Sequence, residues 1–99
     1  MVRAGGAVIA ETEAALELTE DGYDPVIYFP RDDVAMALLE PSIKTSVCPQ
    51  RGEANYYSIQ TKSLLISNAA WSYEKPKPGV EAIARHLAFY ADKVAIEEV

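Results

Sequence analysis

Apolar and polar side chains alternate with a period of two through the early part of the chain, which predicts short strands. Ala14, Leu16 and Leu18 interleave with Ala15, Glu17 and Thr19, the pattern of a strand with one face buried. Before them, Gly5–Gly6 reads as a turn leading into a first apolar strand over Ala7–Ala10. After them, Glu20-Asp21-Gly22 and Asp24-Pro25 predict a turn. The dense β-branched and aromatic run Val26–Phe29 is then the returning strand of a hairpin with Leu16–Leu18.

Pro30 ends that strand. Asp32 or Asp33 is expected to cap a short helix, because a carboxylate there accepts otherwise unpaired backbone N–H groups. Val34 with Leu38, and Ala35 with Leu39, recur at helical spacing, and Pro41 is expected to stop the helix. Ser42–Thr45 reads as extended. Cys48-Pro49 and Gly52 shape a connection into Ala54–Ile59, where Tyr57 and Ile59 share one face and Tyr56 and Ser58 the other. Opposite exposures are therefore expected for the two tyrosines. Thr61–Ser63 fits a turn before a strand at Leu64–Ile66. Ser67-Asn68 is expected to break or bulge that strand ahead of Ala69–Tyr73, which puts Trp71 and Tyr73 on one face. Glu74–Gly79 is a polar surface loop. The tail stays ambiguous. Val80, Ile83, Ala84 and Leu87 have helical spacing, yet Leu87–Tyr90 and Val94–Ile96 could equally be two closing strands.

A length of 99 residues suits one domain over the whole chain, since two halves would each have too small a core. Acidic residues outnumber basic ones 15 to 9, a formal charge of −6 that argues against a nucleic-acid partner. The single cysteine cannot form an internal disulfide, so no oxidising compartment is needed. No apolar run is long enough to span a bilayer, and Glu11 and Glu13 arrive too early for a signal peptide. A soluble, cytoplasmic protein is the expectation.

Candidate chemistry concentrates in Thr45–Tyr57, where reactive, cationic and aromatic side chains mix most densely. Cys48 would become a nucleophile if Arg51 lowered its pKa, and His86, the sole histidine, would be its base. The bland alternative is a buried thiol beside a turn. Asp32 and Asp33 could form a carboxylate pair for metal-assisted transfer, but they lack a Gly-rich phosphate loop and fit helix capping better. One cysteine and one histidine fall short of a zinc site, so no metal or cofactor is expected. Tyr28, Tyr56 or Tyr57, Trp71 and Tyr73, with Thr45 and Arg51 at the rim, have the make-up of a small-ligand pocket, although so small a domain also needs aromatics for its core.

Taken in order, Tyr28-Phe29-Pro30-Arg31-Asp32-Asp33-Val34, then Thr45, Cys48-Pro49, Gly52 with Ala54, Tyr56-Tyr57, Ala70-Trp71 with Tyr73 and Pro76, and Ala88-Phe89-Tyr90 resemble DUF427. That family is a small domain of unknown function that has also carried a nucleotidyltransferase-like label. The resemblance runs from about Val8 to Ile96. It implies a mostly β, β-tent-like (Mss4-like) fold, in which two small antiparallel sheets lean together with one or two short helices. Zinc-bearing relatives such as methionine sulfoxide reductase B share that fold, and this chain would lack their zinc site. The resemblance also implies a short helix near Val80–Ala84 followed by strands, and it implies no activity. The usual Cys-Pro-Tyr-Lys-Gly segment here reads Cys48-Pro49-Gln50-Arg51-Gly52, which suits anion binding better than proton transfer.

The expected function is binding of a small planar or anionic ligand in a Tyr/Trp-lined cleft. Arg51 would anchor charge, Trp71 and Tyr73 would contact the flat part, Tyr56 would contribute to the wall, and Thr45 would donate a hydrogen bond. Two competing expectations are an enzyme using Cys48, or metal-assisted nucleotidyl transfer at Asp33, and an interaction or structural module. The last would use exposed strand edges or the Glu74–Gly79 loop and leaves a homo-oligomer open.

Overall fold

The computed structural model describes residues 1–98. Nine strands carry the fold: β1 (Val2–Ala4), β2 (Ala7–Ala10), β3 (Leu16–Leu18), β4 (Val26–Tyr28), β5 (Leu39–Cys48), β6 (Gly52–Gln60), β7 (Leu65–Ser72), β8 (Ala88–Phe89) and β9 (Ala95–Ile96). They pair antiparallel into a four-stranded sheet β5-β6-β7-β8, a three-stranded sheet β2-β1-β9 and the ribbon β3-β4. Among the described residues, helical structure is limited to three short 3-10 turns at Arg31–Asp33, Met36–Leu38 and Glu81–Ile83. The chain is mostly β. Among the described residues no helix is long and apolar enough to cross a membrane.

The β3–β4 hairpin forms where the alternation predicts it, with Leu16 opposite Tyr28 and Leu18 opposite Val26. The tail resolves into the 3-10 turn at Glu81–Ile83 followed by strands β8 and β9. The helix expected after Pro30 does not form. Asp32 and Asp33 sit inside a 3-10 turn with no side-chain cap, and Val34 bridges to Ala10 in the extended conformation. Tertiary pairing outweighs a spacing signal that spans barely two turns of helix. Pro41 likewise stops nothing: it lies within β5, an edge strand, where its missing N–H is tolerated.

Strand β6 lies at the centre of the core and is buried on both faces. Tyr57 and Ile59 point into a cluster with Val2, Ile9, Phe29, Leu87 and Phe89. Ala54 and Tyr56 point the other way, into Tyr28, Tyr73, Ile83 and Ala88. The adjacent tyrosines do face opposite sides, but both are buried (8% and 9% exposed), so the expected difference in exposure is absent. A strand alternation cannot reveal a second cover on the far face. Full burial of a side chain such as Ile59 stabilises by roughly 2–3 kcal/mol.

Both neighbours of β6 bulge near its middle. On β5, Ser42, Ile43 and Lys44 lie opposite the single residue Tyr56, between the pairs Pro41–Tyr57 and Thr45–Asn55. On β7, Ser67, Asn68 and Ala69 lie opposite Ser58, between Ala70–Tyr57 and Ile66–Ile59. Asn68 takes a left-handed conformation (φ 51°) and its N–H donates to Ser58 Oγ at 3.1 Å. Asn tolerates this region and Ala does not. Asn68→Ala should therefore destabilise by about 1 kcal/mol and Asn68→Gly by less, read as urea midpoints at constant slope.

Candidate functional site

The turn between β5 and β6 is closed by Arg51 N donating to Cys48 O at 3.2 Å. Gly52 follows at φ +112°, with a Cβ there coming within 3.4 Å of the Lys75 carbonyl, so glycine alone fits without strain. The Arg51 carbonyl accepts from Lys77 N at 2.9 Å. Its guanidinium lies 5.9 Å from the Tyr23 ring and bonds Glu20, with Nε donating at 2.8 Å and Nη2 forming an ion pair. Burial alone would lower the pKa of this guanidinium, but the Glu20 carboxylate, aided by Tyr28 and Tyr73, raises it overall. Arg51 is therefore a buried clamp joining three connections, not a free cation at a rim.

Beside this clamp the sheet presents a run of aromatic rings. Tyr56 and Tyr90 stack at 6.4 Å between centroids, and Trp71 lies 4.6 Å from Tyr90. Trp71 and Tyr90 are half-buried, whereas Tyr73 is buried below them next to Tyr28. The β5 bulge carries Lys44 Nζ to 4.6 Å from the Tyr56 ring centre, the re-aiming of a side chain that bulges permit. Lys93 Nζ lies 5.4 Å from the Tyr90 ring and is steadied by the Ser67 carbonyl at 3.1 Å. Ser46 Oγ and Tyr56 OH share a 3.0 Å hydrogen bond, and Tyr90 OH donates to Tyr56 OH at 3.4 Å.

Of the residues singled out from the sequence, Tyr56, Trp71 and Tyr73 come together here, with Arg51 behind them. Thr45 is exposed on β5, and it is Ser46, one position on, that reaches the aromatic group. Half-buried Cys48 has its Sγ 3.6 Å from Gln50 Oε1, while His86 Nδ1 bonds the Ala84 carbonyl at 3.0 Å. Asp33 accepts from Thr12 Oγ1 at 2.6 Å, and among the described residues no three His, Cys, Asp or Glu side chains converge as metal ligands. Lys44, Ser46, Tyr90 and Lys93 went unnoticed. Lys44 and Ser46 are two apart in β5, a same-face signal for Ser46; Tyr90 lies one residue beyond β8, and nothing in the spacing places it or Lys93.

A second polar group occupies the opposite face. Arg31 Nε donates to Arg85 O at 3.0 Å, and its Nη2 donates to Glu74 Oε1 at 3.0 Å and to fully buried Ser72 Oγ at 3.3 Å. Tyr57 OH also donates to Glu74 Oε1, at 3.3 Å, and Arg85 Nη1 lies 3.6 Å from Oε2 of the same carboxylate. Arg85 is held at φ 61°, its N–H bonded to Tyr73 O at 2.9 Å. The group clamps the β7 exit to the segments around β4 and β8, and it leaves Glu74 Oε2 buried without a hydrogen bond, facing only the Arg85 charge.

The family model described as domain of unknown function (DUF427) matches residues 1–99. The chain belongs to the DUF427 family. No curated protein matches it. The description of DUF427 assigns no chemistry, so the function of this DUF427 chain must be read from its own side chains.

Two expected outcomes follow from the clamp and the phenols. Arg51→Ala or Glu20→Ala leaves a buried charge unpaired and should cost about 3 kcal/mol in denaturant unfolding, with Arg51→Lys in between. Burial raises the pKa of Tyr28, Tyr73 and Tyr90, the last to about 12, with the Tyr56 neighbour adding to the effect at Tyr90. Burial would raise Tyr56 too, but bonds to Ser46 and Tyr90 and the Lys44 charge bring it below the ordinary 10.0. Above pH 10.0 the unfolded chain ionises phenols that the folded chain keeps protonated. Stability should thus be complete below that pH and fall as pH rises toward about 12, with Tyr56 alone working in the opposite sense. Phenolate absorbance followed alongside unfolding checks this, and Tyr90→Phe should make the alkaline loss shallower.

Proposed function

We propose that this DUF427 domain binds a small planar anion on the Trp71–Tyr90–Tyr56 surface, with Lys44 and Lys93 meeting its charge. The observation that carries the reading is a pair of half-exposed rings, Trp71 and Tyr90, backed by buried Tyr56 and flanked by two ammonium groups in a chain whose net charge is −6. Stacking supplies affinity without demanding a deep cavity, and the lysines add selection for negative charge. Arg51 supports the surface from beneath through Glu20. Thr45 lies at the margin, Tyr73 forms the floor, and Cys48 steadies the turn. We also take the antiparallel sheets to be leaned together in the β-tent manner without zinc, and the domain to work in the cytoplasm. An experimental structure superposed on a zinc-bearing β-tent protein tests the first, and fractionation of cells tests the second.

The enzymatic alternatives draw less support. Cys48 is bonded to Gln50 rather than to a base, and Asp33 is engaged by Thr12. Trp71 is the sole tryptophan, so its fluorescence reports directly on the surface. Adenosine monophosphate should quench it saturably, adenosine more weakly, and inorganic phosphate not at all. Lys44→Ala should weaken the nucleotide about fivefold, the equivalent of about 1 kcal/mol. Absence of quenching up to about 1 mM would remove the proposal, since weaker contacts are not specific on this scale.

A further inference from the structure

A cleft of about 500 Å³ opens between the β3–β4 ribbon and the β1–β9 edge, and it shares no lining residue with the aromatic surface. That volume lies within the range of small-ligand sites. Its floor is apolar: Leu16, Ile27, Phe29 and Ile96. Leu16 and Ile96 are each 37% exposed, so the cleft leaves apolar surface in water that a ligand would cover.

Its rim is predominantly acidic; the Met1 α-ammonium, which also lines the cleft, is engaged by the Glu97 carbonyl at 2.7 Å. Glu13 and Glu17 stand on the wall leading into and along β3, and Glu97 and Glu98 stand on the wall beyond β9. The second wall is fixed by Glu97 N donating to Met1 O at 2.8 Å. Among the described residues none of these four carboxylates makes an ion pair or a side-chain hydrogen bond, in contrast to Glu20 and Glu74, which are each held by arginine. Like charges gathered around a low-dielectric hollow repel one another, and a bound cation relieves that repulsion. A hard divalent ion would leave the apolar floor uncovered and would need oxygen ligands around it, not along two walls. A neutral apolar molecule would leave the carboxylates facing each other.

We propose that this cleft binds an aliphatic di- or polyamine. Its methylene segments lie on Leu16, Ile27, Phe29 and Ile96, and its ammonium groups reach Glu13 and Glu17 at one end and Glu97 and Glu98 at the other. The two acidic walls set the requirement for at least two cationic centres, and the floor sets the requirement for hydrocarbon between them. This site is separate from the planar-anion surface, and each stands or falls alone.

The test is a nuclear magnetic resonance titration of the whole chain with spermidine, in parallel with 1,6-hexanediol, magnesium ion and the Glu17→Gln/Glu97→Gln double variant. Spermidine should bind saturably below about 1 mM, moving the amide signals of residues 13–17, 27 and 96–98 and leaving Trp71 unmoved. Hexanediol should not bind, and the double variant should weaken spermidine about tenfold or more. Both replaced glutamates are exposed, so the variant should fold; a Leu16→Asn variant tests the floor and should weaken spermidine as well. The proposal is overturned if shifts are absent or unsaturable, if magnesium produces the same shifts at the same concentration, or if the double variant binds spermidine as the parent does.

Discussion

Two arginine–glutamate clamps hold the covers onto a sheet strand that is buried on both sides. Strand β6 needs apolar side chains over each face, yet the described residues hold three 3-10 turns and no longer helix to lay across either. The covers are instead small hairpins and irregular segments, which bury too little area to stay in place by packing alone. Arg51 binds the β3–β4 turn, through Glu20, to the β5–β6 turn and the Lys77 loop. Arg31 does the equivalent on the other face through Glu74, Ser72, Tyr57 and the Arg85 carbonyl. Each guanidinium spreads several donors over several chain segments, which a lysine cannot do.

The same architecture shapes the aromatic surface. Because β5 carries extra residues opposite Tyr56, Lys44 turns toward the ring and Ser46 meets its hydroxyl. Because β7 carries extra residues opposite Ser58, the register is reset before Trp71, so that Trp71 pairs with Tyr56. Two irregularities in the ladder thus gather ammonium, hydroxyl and indole around one phenol. The environments of Tyr56 and Tyr90 differ enough to push neighbouring phenols in opposite directions, an effect of local charge and burial rather than of residue type.

Much of the strand content was legible in the sequence because strands leave a period of two, as in Leu16–Leu18, and hairpins leave turn residues, as in Glu20–Pro25. The buried face that the alternation of Ala14, Leu16 and Leu18 predicted does not form, since Ala14 and Leu16 are exposed. Membership of DUF427 was legible from ordered short motifs. The segment Val34–Leu39 misled, since spacing of four over so few residues cannot compete with a bridge to Ala10 and entry into β5. The roles of the arginines were not legible. An arginine next to a cysteine and a glycine reads as a functional cation, and only the fold brings Glu20 to it from about thirty residues away. Tyr90 stacks on Tyr56, 34 residues before it, and that contact too exists only once β8 is paired.

The outer margin of β5 governs how the protein behaves when crowded. It is a long edge strand with Ile43 fully exposed and Val47 largely so, which in a flat, regular strand would template the stacking of chain on chain. Here Pro41 removes a donor, Ser42–Lys44 throw the backbone out of line, and Lys44 adds charge. A neighbouring molecule therefore meets an interrupted ladder with no continuous row of partners. The distortion that aims Lys44 at Tyr56 also serves as a gatekeeper against amyloid-like growth.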